Sequence, residues 1–146
     1  MPPRLRAVLG DDDRLMPHLH LSAQHGDDLV LKQMKRRHLA RDVVRFCDEA
    51  RRRRSDIVFG ADIIAGFPTE TEDAHNATRQ MIHRAGITYL HVFPFSPRTG
   101  TPAARMRPID GDTIRRRARD LPEDGTRPRT DTNRARRYPP HFFLFL

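Results

Sequence analysis

The feature that most constrains this sequence is a near-continuous apolar run, IVFGADIIAG, at residues 57–66. The run is rich in β-branched residues, and Asp62 is its one charged side chain. Such runs are typical of a parallel β-strand that is covered on both faces. Because parallel neighbours are joined through a crossover segment, usually a helix, the rest of the chain is expected to alternate strands with helices.

Segments on both sides of this run fit that expectation. The sequences HLHLS at residues 18–22 and ITYLHVF at residues 87–93 are typical of strands. Helical spacing of apolar residues predicts helices from Asp27, over residues 40–54, from a Thr69–Glu72 capping box to Gly86, and from about residue 110. This order predicts an α/β fold with a parallel sheet. Three strands are too few for a closed eight-stranded barrel, so part of a larger sheet is expected.

The charge balance favours an anionic partner. The chain has 146 residues, enough for one ordinary domain, and a formal net charge of +8. Nearly all of its basic residues are arginine, since Lys32 and Lys35 are the only lysines. Arginine makes bidentate contacts with phosphate and stacks on bases, which favours a nucleic-acid partner. A genome whose base composition favours arginine codons would produce the same charge.

The organisation of the chain changes near residue 121. Residues 121–146 lack any period and are rich in Pro and Arg, so a disordered tail is predicted there, after a structured part at residues 1–120. No run approaches the roughly 20 apolar residues that span a bilayer, and the start lacks the long apolar stretch of a signal peptide. A cytoplasmic protein without a membrane partner is therefore expected.

The cysteine content limits the chemistry. Cys47 is the only cysteine, which excludes a disulfide framework and a metal site built from several thiolates of these residues. We also expect no disulfide-linked partner. Cys47 shares the apolar stripe of the helix at residues 40–54 with Val43, Val44 and Phe46. We therefore interpret Cys47 as a core residue.

Two histidines on the first strand are candidate metal ligands. Because residues two apart on a strand point to the same face, His18 and His20 could reach one metal ion, with Asp62 and His91 from the later strands completing the set. This arrangement would resemble a barrel metallohydrolase. The alternative is that these histidines make hydrogen bonds at the margin of the core.

Two connections after predicted strands are further candidates. The turn GFPTET at residues 66–71 offers glycine and the free N–H groups of a helix start to an anion or a carboxylate, although an ordinary strand-to-helix turn needs the same residues. The loop SPRTGTP at residues 96–102 follows the last strand, on the side where α/β proteins bind ligands, and Arg98 there could bind a phosphate or carboxylate. Its alternative is a surface loop with a solvated arginine.

Taken in order, three long stretches resemble the radical-SAM tRNA methylthiotransferase family. They are PHLHLSAQHGDDLVLKQMKRRH at residues 17–38, GADIIAGFPTET at residues 60–71 and HVFPFSPRTGTPAA at residues 91–104. The resemblance covers about residues 10–120 and is strongest to the branch that acts on threonylcarbamoyladenosine beside the tRNA anticodon. It implies that residues 1–120 are the C-terminal part of a radical-SAM, TIM-like barrel, with tRNA as the partner.

The same resemblance implies cofactors. The family uses S-adenosylmethionine and two 4Fe-4S clusters; a CxxxCxxC loop holds the barrel cluster, which cleaves S-adenosylmethionine reductively. The radical formed abstracts hydrogen from the adenosine ring, and sulfur and a methyl group are then installed. Cluster ligation requires thiolates, and this sequence has Cys47 alone, so the chain is expected to lack catalysis by itself. We hypothesise a gene truncated at the front and read out of frame beyond Leu121, where the resemblance ends.

By resemblance, eight residues would contact the cofactor or the substrate: Ser22, Gln24, Ile64, Gly66, Glu70, Phe95, Ser96 and Arg98. Ser22 and Gln24 would face the ribose or methionine, and Ile64, Gly66 and Glu70 the adenine. The last three would line the end of the last strand. His25 departs from the serine that is usual in the family, next to Gln24.

Two other readings stay open beside the enzyme families. A basic fragment without catalysis would bind RNA through Arg36, Arg37 and the run at residues 51–54. Alternatively, the chain would not fold stably alone, because a short sheet would have open edges and an uncovered face.

Overall fold

A computed structural model describes residues 16–123 of the chain. Within this range there are three strands, β1 (His18–Gln24), β2 (Val58–Ala65) and β3 (Tyr89–Pro94). The α-helices are α1 (Asp28–Gln33), α2 (Ala40–Arg53), α3 (Glu72–Ala85) and α4 (Gly111–Glu123), and a short 3₁₀ helix (Pro102–Arg105) precedes α4. Each strand is followed by a helix, which is the alternation expected from the apolar run at residues 57–66.

The strands form one parallel sheet in the order β1-β2-β3. His20 lies opposite Gly60 in the β1–β2 register, and Asp62 lies opposite His91 in the β2–β3 register. The prediction of an α/β fold with parallel strands is therefore confirmed. Among the described residues the sheet is open, with β1 and β3 at its edges.

Helices cover one face of this sheet, which we call the packed face. It consists of alternate strand residues. The partly buried Leu90 and Val92 of β3 pack against seven that are buried in the main hydrophobic core: Leu19, Leu21, Ala23, Phe59, Ala61, Ile63 and Ala65. Helices α2, α3 and α4 contribute Cys47, Ile82 and Leu121, each fully buried against it. The prediction that Cys47 is a core residue is confirmed, and burial raises the pKa of its thiol to about 12.

The other face, which we call the open face, carries the alternate strand residues: His18, His20, Ser22, Val58, Gly60, Asp62, Ile64, Tyr89, His91 and Phe93. Tyr89 and Phe93 are 45% and 51% exposed. Within residues 16–123, β2 is therefore not covered on both faces as expected, since Asp62 and Ile64 are only partly buried. The apolar residues of β2 on the open face are small or aliphatic. Packing of the other face does not by itself require apolar residues at these positions.

The ends of α3 show one confirmed prediction and one correction. Gly86 ends the helix with a left-handed backbone (φ 58°), as predicted, and its N–H donates to the carbonyls of Ile82 and His83. The helix begins after Thr71, whose hydroxyl accepts from the N–H of Ala74. The capping box predicted at Thr69 is wrong because the turn before Thr71 is held by another side chain, Glu70, described below.

Helix α4 continues to Glu123, and Leu121 in its last turn is fully buried in the main core. The helix thus passes the boundary that the sequence suggested after residue 120. The predicted disordered tail at residues 121–146 otherwise lies outside the described residues. None of the helices within residues 16–123 has both the length and the apolar character needed to cross a membrane.

Candidate functional site

The eight residues carried over from the resemblance lie along one edge of the sheet. Ser22 and Gln24 end β1, Ile64 and Gly66 are at the end of β2, and the loop with Phe95 follows β3. Because the three strands are parallel, their carboxyl ends meet at the same edge. This is the edge where open α/β sheets bind ligands.

The end of β1 departs from regular strand geometry. Its pairing with β2 shifts register between Leu21 and Gln24, and Gln24 has a positive φ of 65°. A non-glycine residue in this left-handed region is uncommon and is held there by its surroundings. Gln24 is itself buried, at 8% exposed, while Ser22 is partly buried on the open face. This irregular end of β1 therefore leaves the Ser22 side chain partly accessible on the open face and directs the chain into the turn before α1.

The turn after β2 depends on glycine. Gly66 has φ 81°, and a Cβ added there would lie 2.6 Å from Cγ1 of Ile114 on α4. Both the backbone conformation and the close approach of α4 therefore require glycine at this position. The N–H groups of Gly66 and Phe67 both donate to Oε2 of Glu70.

Glu70 is buried beneath this turn among basic groups. Its carboxylate lies 3.5 Å from Nε2 of His25, 3.4 Å from Nδ1 of His75 and 3.4 Å from Nη1 of Arg117. Burial raises the pKa of Glu70, but the contacts with His25 and His75 and the Gly66 N–H outweigh it and lower the pKa to about 2. Glu70 is therefore an ionised carboxylate that holds the turn through the N–H groups of Gly66 and Phe67.

Sequence reasoning missed the three basic neighbours of Glu70. His25 also accepts from the N–H of Asp27 and contacts the hydroxyl of Thr78, and Arg117 donates to the carbonyl oxygen of Glu70. His25, the departure from the family pattern, is thus a buried link between the β1 turn and α3. The only sequence signal for this cluster was the unusual His25 itself.

The loop after β3 presents its polar residues to solvent. Phe95 packs edge-on against Phe67, with ring centroids 5.3 Å apart, and joins a small second core with Val30 and Ala74. Ser96 and Arg98 are exposed. The backbone carbonyl of Arg98 accepts from the hydroxyl of Thr101, which fixes the loop while leaving the guanidinium at the surface.

Three of the four predicted metal ligands meet on the open face. Nε2 of His20 lies 2.8 Å from Oδ1 of Asp62, and Nδ1 of His91 lies 3.5 Å from the same oxygen. The rings of His20 and His91 are 4.9 Å apart between centroids. One donor atom from each residue lies within 4.8 Å of the other two, so each strand contributes one member of the cluster.

The fourth predicted ligand, His18, lies beside this cluster. Its ring contacts Tyr89 edge-on at 5.8 Å, and its Nε2 atom is buried without a hydrogen-bond partner among the described residues. Burial, followed by the charges of His20 and His91, lowers the pKa of His18. Gly60 leaves space for the rings of His18 and His20, because a Cβ at residue 60 would lie 2.5 Å from Nδ1 of His20.

The basic residues proposed to bind RNA divide into two groups. Arg51 donates to the carbonyl oxygens of Ala85 and Gly86 and lies 4.8 Å over the ring of Phe59, so it is a packing residue. Arg54 pairs with Asp56. The others, Arg36, Arg37, Arg52 and Arg53, are exposed.

The chain is similar to curated tRNA-modifying enzymes. It is 52% identical over 118 residues, 81% of its length, to the threonylcarbamoyladenosine tRNA methylthiotransferase MtaB of Rickettsia prowazekii (strain Madrid E). It is 44% identical over 93 residues, 64% of its length, to the enzyme of that name from Thermotoga maritima. It is also 37% identical over 121 residues, 83% of its length, to the tRNA-2-methylthio-N(6)-dimethylallyladenosine synthase of Paracoccus denitrificans.

These alignments cover 28%, 21% and 27% of the three relatives, so the chain spans about a quarter of their length. No protein-family model matches the chain.

Proposed function

Because the chain belongs to the radical-SAM tRNA methylthiotransferase family, we propose that residues 16–123 supply the later strands of a TIM-like barrel that binds S-adenosylmethionine. In this proposal the whole protein works in the cytoplasm and adds a methylthio group to threonylcarbamoyladenosine in tRNA. The observation that carries it is the meeting of three family-like stretches at the carboxyl edge of one parallel sheet. This edge is the active-site side of α/β barrels.

The side chains at this edge match the chemistry of different parts of S-adenosylmethionine. Ser22 offers a hydroxyl on the open face, and Ile64, two residues before Gly66, offers a partly buried aliphatic surface for adenine. The glycine at residue 66 allows close approach of the backbone, and Glu70 keeps that backbone in place. Arg98 is exposed at the same edge and is suited to a carboxylate or a phosphate. S-adenosylmethionine, when bound, supplies the radical and the methyl group in this family.

The residues present do not fit an iron–sulfur cluster. Cys47 is the only cysteine, and it is fully buried in the main core on α2 with a raised pKa, whereas cluster ligation needs several thiolates. The proposal therefore assigns cofactor binding and barrel packing to these residues, and cluster ligation to none of them.

Threonylcarbamoyladenosine is the proposed substrate rather than dimethylallyladenosine. The relative at 52% identity is named for the first nucleoside, and the one at 37% identity over a similar length is named for the second. The proposed partner is tRNA, and the exposed Arg36, Arg37, Arg52 and Arg53 supply positive charge for its backbone.

Replacing Ser22 by alanine is expected to weaken S-adenosylmethionine binding about tenfold, because one hydrogen bond at the end of β1 is lost. Isothermal calorimetry on the 146-residue chain measures this, with circular dichroism to confirm folding. Ser55→Ala is the matched control, since Ser55 is exposed in the turn between α2 and β2, and it should bind as the parent does.

A folded chain that does not bind S-adenosylmethionine, or that loses affinity equally in both serine variants, would contradict the proposed cofactor site. The RNA-binding alternative predicts a different result. In that case the chain would bind tRNA with an affinity that falls steeply with salt, and S-adenosylmethionine would bind neither the chain nor its complex with tRNA.

A further inference from the structure

The cluster on the open face has the composition of a metal site. His20, Asp62 and His91 provide two imidazole nitrogens and one carboxylate oxygen. Imidazole suits zinc, copper, iron and nickel, and the combination of two histidines with one carboxylate is a recurring ligand set for divalent transition metals. From this donor set and its geometry we infer that the open face binds one divalent transition-metal ion, of which Zn²⁺ is the representative.

The spacing of the donor atoms supports this inference. Ligands of a tetrahedral zinc ion at about 2.0–2.2 Å from the metal lie about 3.4 Å from one another. Oδ1 of Asp62 is 2.8 Å from Nε2 of His20 and 3.5 Å from Nδ1 of His91. The ion would be accommodated by small side-chain rotations. These rotations would lengthen the distance between His20 and Asp62 and shorten the distance between the two imidazole rings. His91, with a side chain 57% exposed, has the freedom to make the adjustment.

The backbone around the cluster holds it in place. The three ligands lie on three different strands, and the β2–β3 register places Asp62 directly opposite His91. Gly60 leaves the space that the His20 ring occupies. The Nε2 atom of His18, buried without a hydrogen-bond partner among the described residues, is a further nitrogen on the same face. Because His20, Asp62 and His91 lie on three strands, an ion bound by them would join all three, and its fourth coordination position would be left to water or to the neighbouring His18.

The metal position is separate from the proposed cofactor residues. Two of the metal ligands come two residues before a proposed cofactor contact: His20 comes before Ser22, and Asp62 comes before Ile64. A two-residue step along a strand is about 6.6 Å, so the ion would lie about that distance farther from the carboxyl edge of the sheet than the S-adenosylmethionine contacts. The inference goes beyond the proposed function, and neither depends on the other.

Zinc titration of the full chain, freed of metal by chelation, tests the inference. Calorimetry should give one Zn²⁺ per chain, and Co²⁺ in its place should give the visible absorption of a four-coordinate nitrogen and oxygen site. His91→Ala should weaken zinc binding by about 100-fold or more, at least the loss seen when a supporting residue of a metal site is removed. Because His91 is exposed, this change should leave the circular dichroism spectrum intact.

Two further variants make the result decisive. Asp62→Asn should also weaken binding, whereas His83→Ala, on the exposed side of α3, should leave it unchanged. Zinc that fails to bind, that binds His91→Ala as tightly as the parent, or that is lost equally from His83→Ala would overturn the inference. The cluster would then be an ordinary histidine–aspartate hydrogen bond. Calorimetry with S-adenosylmethionine would be unaffected by either outcome.

Discussion

Replacing Glu70 by glutamine is expected to lower the free energy of unfolding by about 3 kcal/mol. The change keeps the size of the side chain but removes a buried charge, so the guanidinium of Arg117, 5% exposed, keeps only the half-exposed Glu72 as a carboxylate partner. It also replaces the acceptor of two backbone N–H groups, those of Gly66 and Phe67. Urea unfolding followed by circular dichroism measures the loss.

Asp112→Asn is the matched control for this change. Asp112 also pairs with an arginine, Arg115, but its side chain is 87% exposed. Surface pairs of this kind contribute little, so the unfolding midpoint should stay close to that of the parent. Equal effects of the two substitutions would show that the buried position of Glu70 is unimportant.

The low pKa of Glu70 predicts an acid dependence of stability. A carboxyl group whose pKa falls from an ordinary value of 4.5 to about 2 on folding stabilises the folded state above pH 4.5. That contribution, about 3 kcal/mol, is lost as the pH falls from 4.5 toward 2. The difference in stability between the parent and Glu70→Gln should therefore shrink over this interval. A constant difference would mean that the Glu70 charge is not what stabilises the turn.

Replacing Phe59 by alanine is expected to cost about 4 kcal/mol, because the side chain is fully buried in the main core. Phe59 is the second residue of β2 and lies on the packed face, and its ring also lies under the guanidinium of Arg51. Loss of the ring would therefore leave a cavity and remove a cation–π contact. Thermal and urea unfolding of the variant measure the loss.

Phe93→Ala is the control for the packed and open faces. Phe93 lies on β3 on the open face and is 51% exposed, so its truncation should cost far less than that of Phe59. Similar losses for the two phenylalanines would contradict the assignment of the faces and would indicate that another surface covers Phe93.

The strands were predictable from sequence because their signals are local. The apolar run at residues 57–66 contains β2, and the neighbouring strand and helix patterns gave the remaining elements to within a few residues. Cys47 was placed correctly because its stripe of apolar neighbours reflects one helix face. The meeting of His20, Asp62 and His91 was predicted in part from the period of two along a strand, whereas the register that places Asp62 opposite His91 was not predicted.

The cluster around Glu70 was not predictable in the same way. Glu70 meets Arg117, 47 residues later, and His25, 45 residues earlier, so its environment depends on how α4 and the β1 turn pack together. The resemblance predicts Glu70 near the adenine, which stays a prediction, and it gave no indication that the carboxylate holds the Gly66 turn. The helix start was misplaced at Thr69 for the same reason, because the turn that Glu70 holds delays α3 until after Thr71.

The exchange of residues 16–123 into the Rickettsia prowazekii relative, in place of its aligned segment, tests the central proposal most directly. The chimera would be expressed in bacteria that lack their own threonylcarbamoyladenosine methylthiotransferase, and tRNA nucleosides would be measured by mass spectrometry. We expect methylthiolated threonylcarbamoyladenosine, and its loss when Gly66→Val distorts the turn after β2. A folded chimera that carries its clusters and leaves this nucleoside unmodified would contradict the proposal.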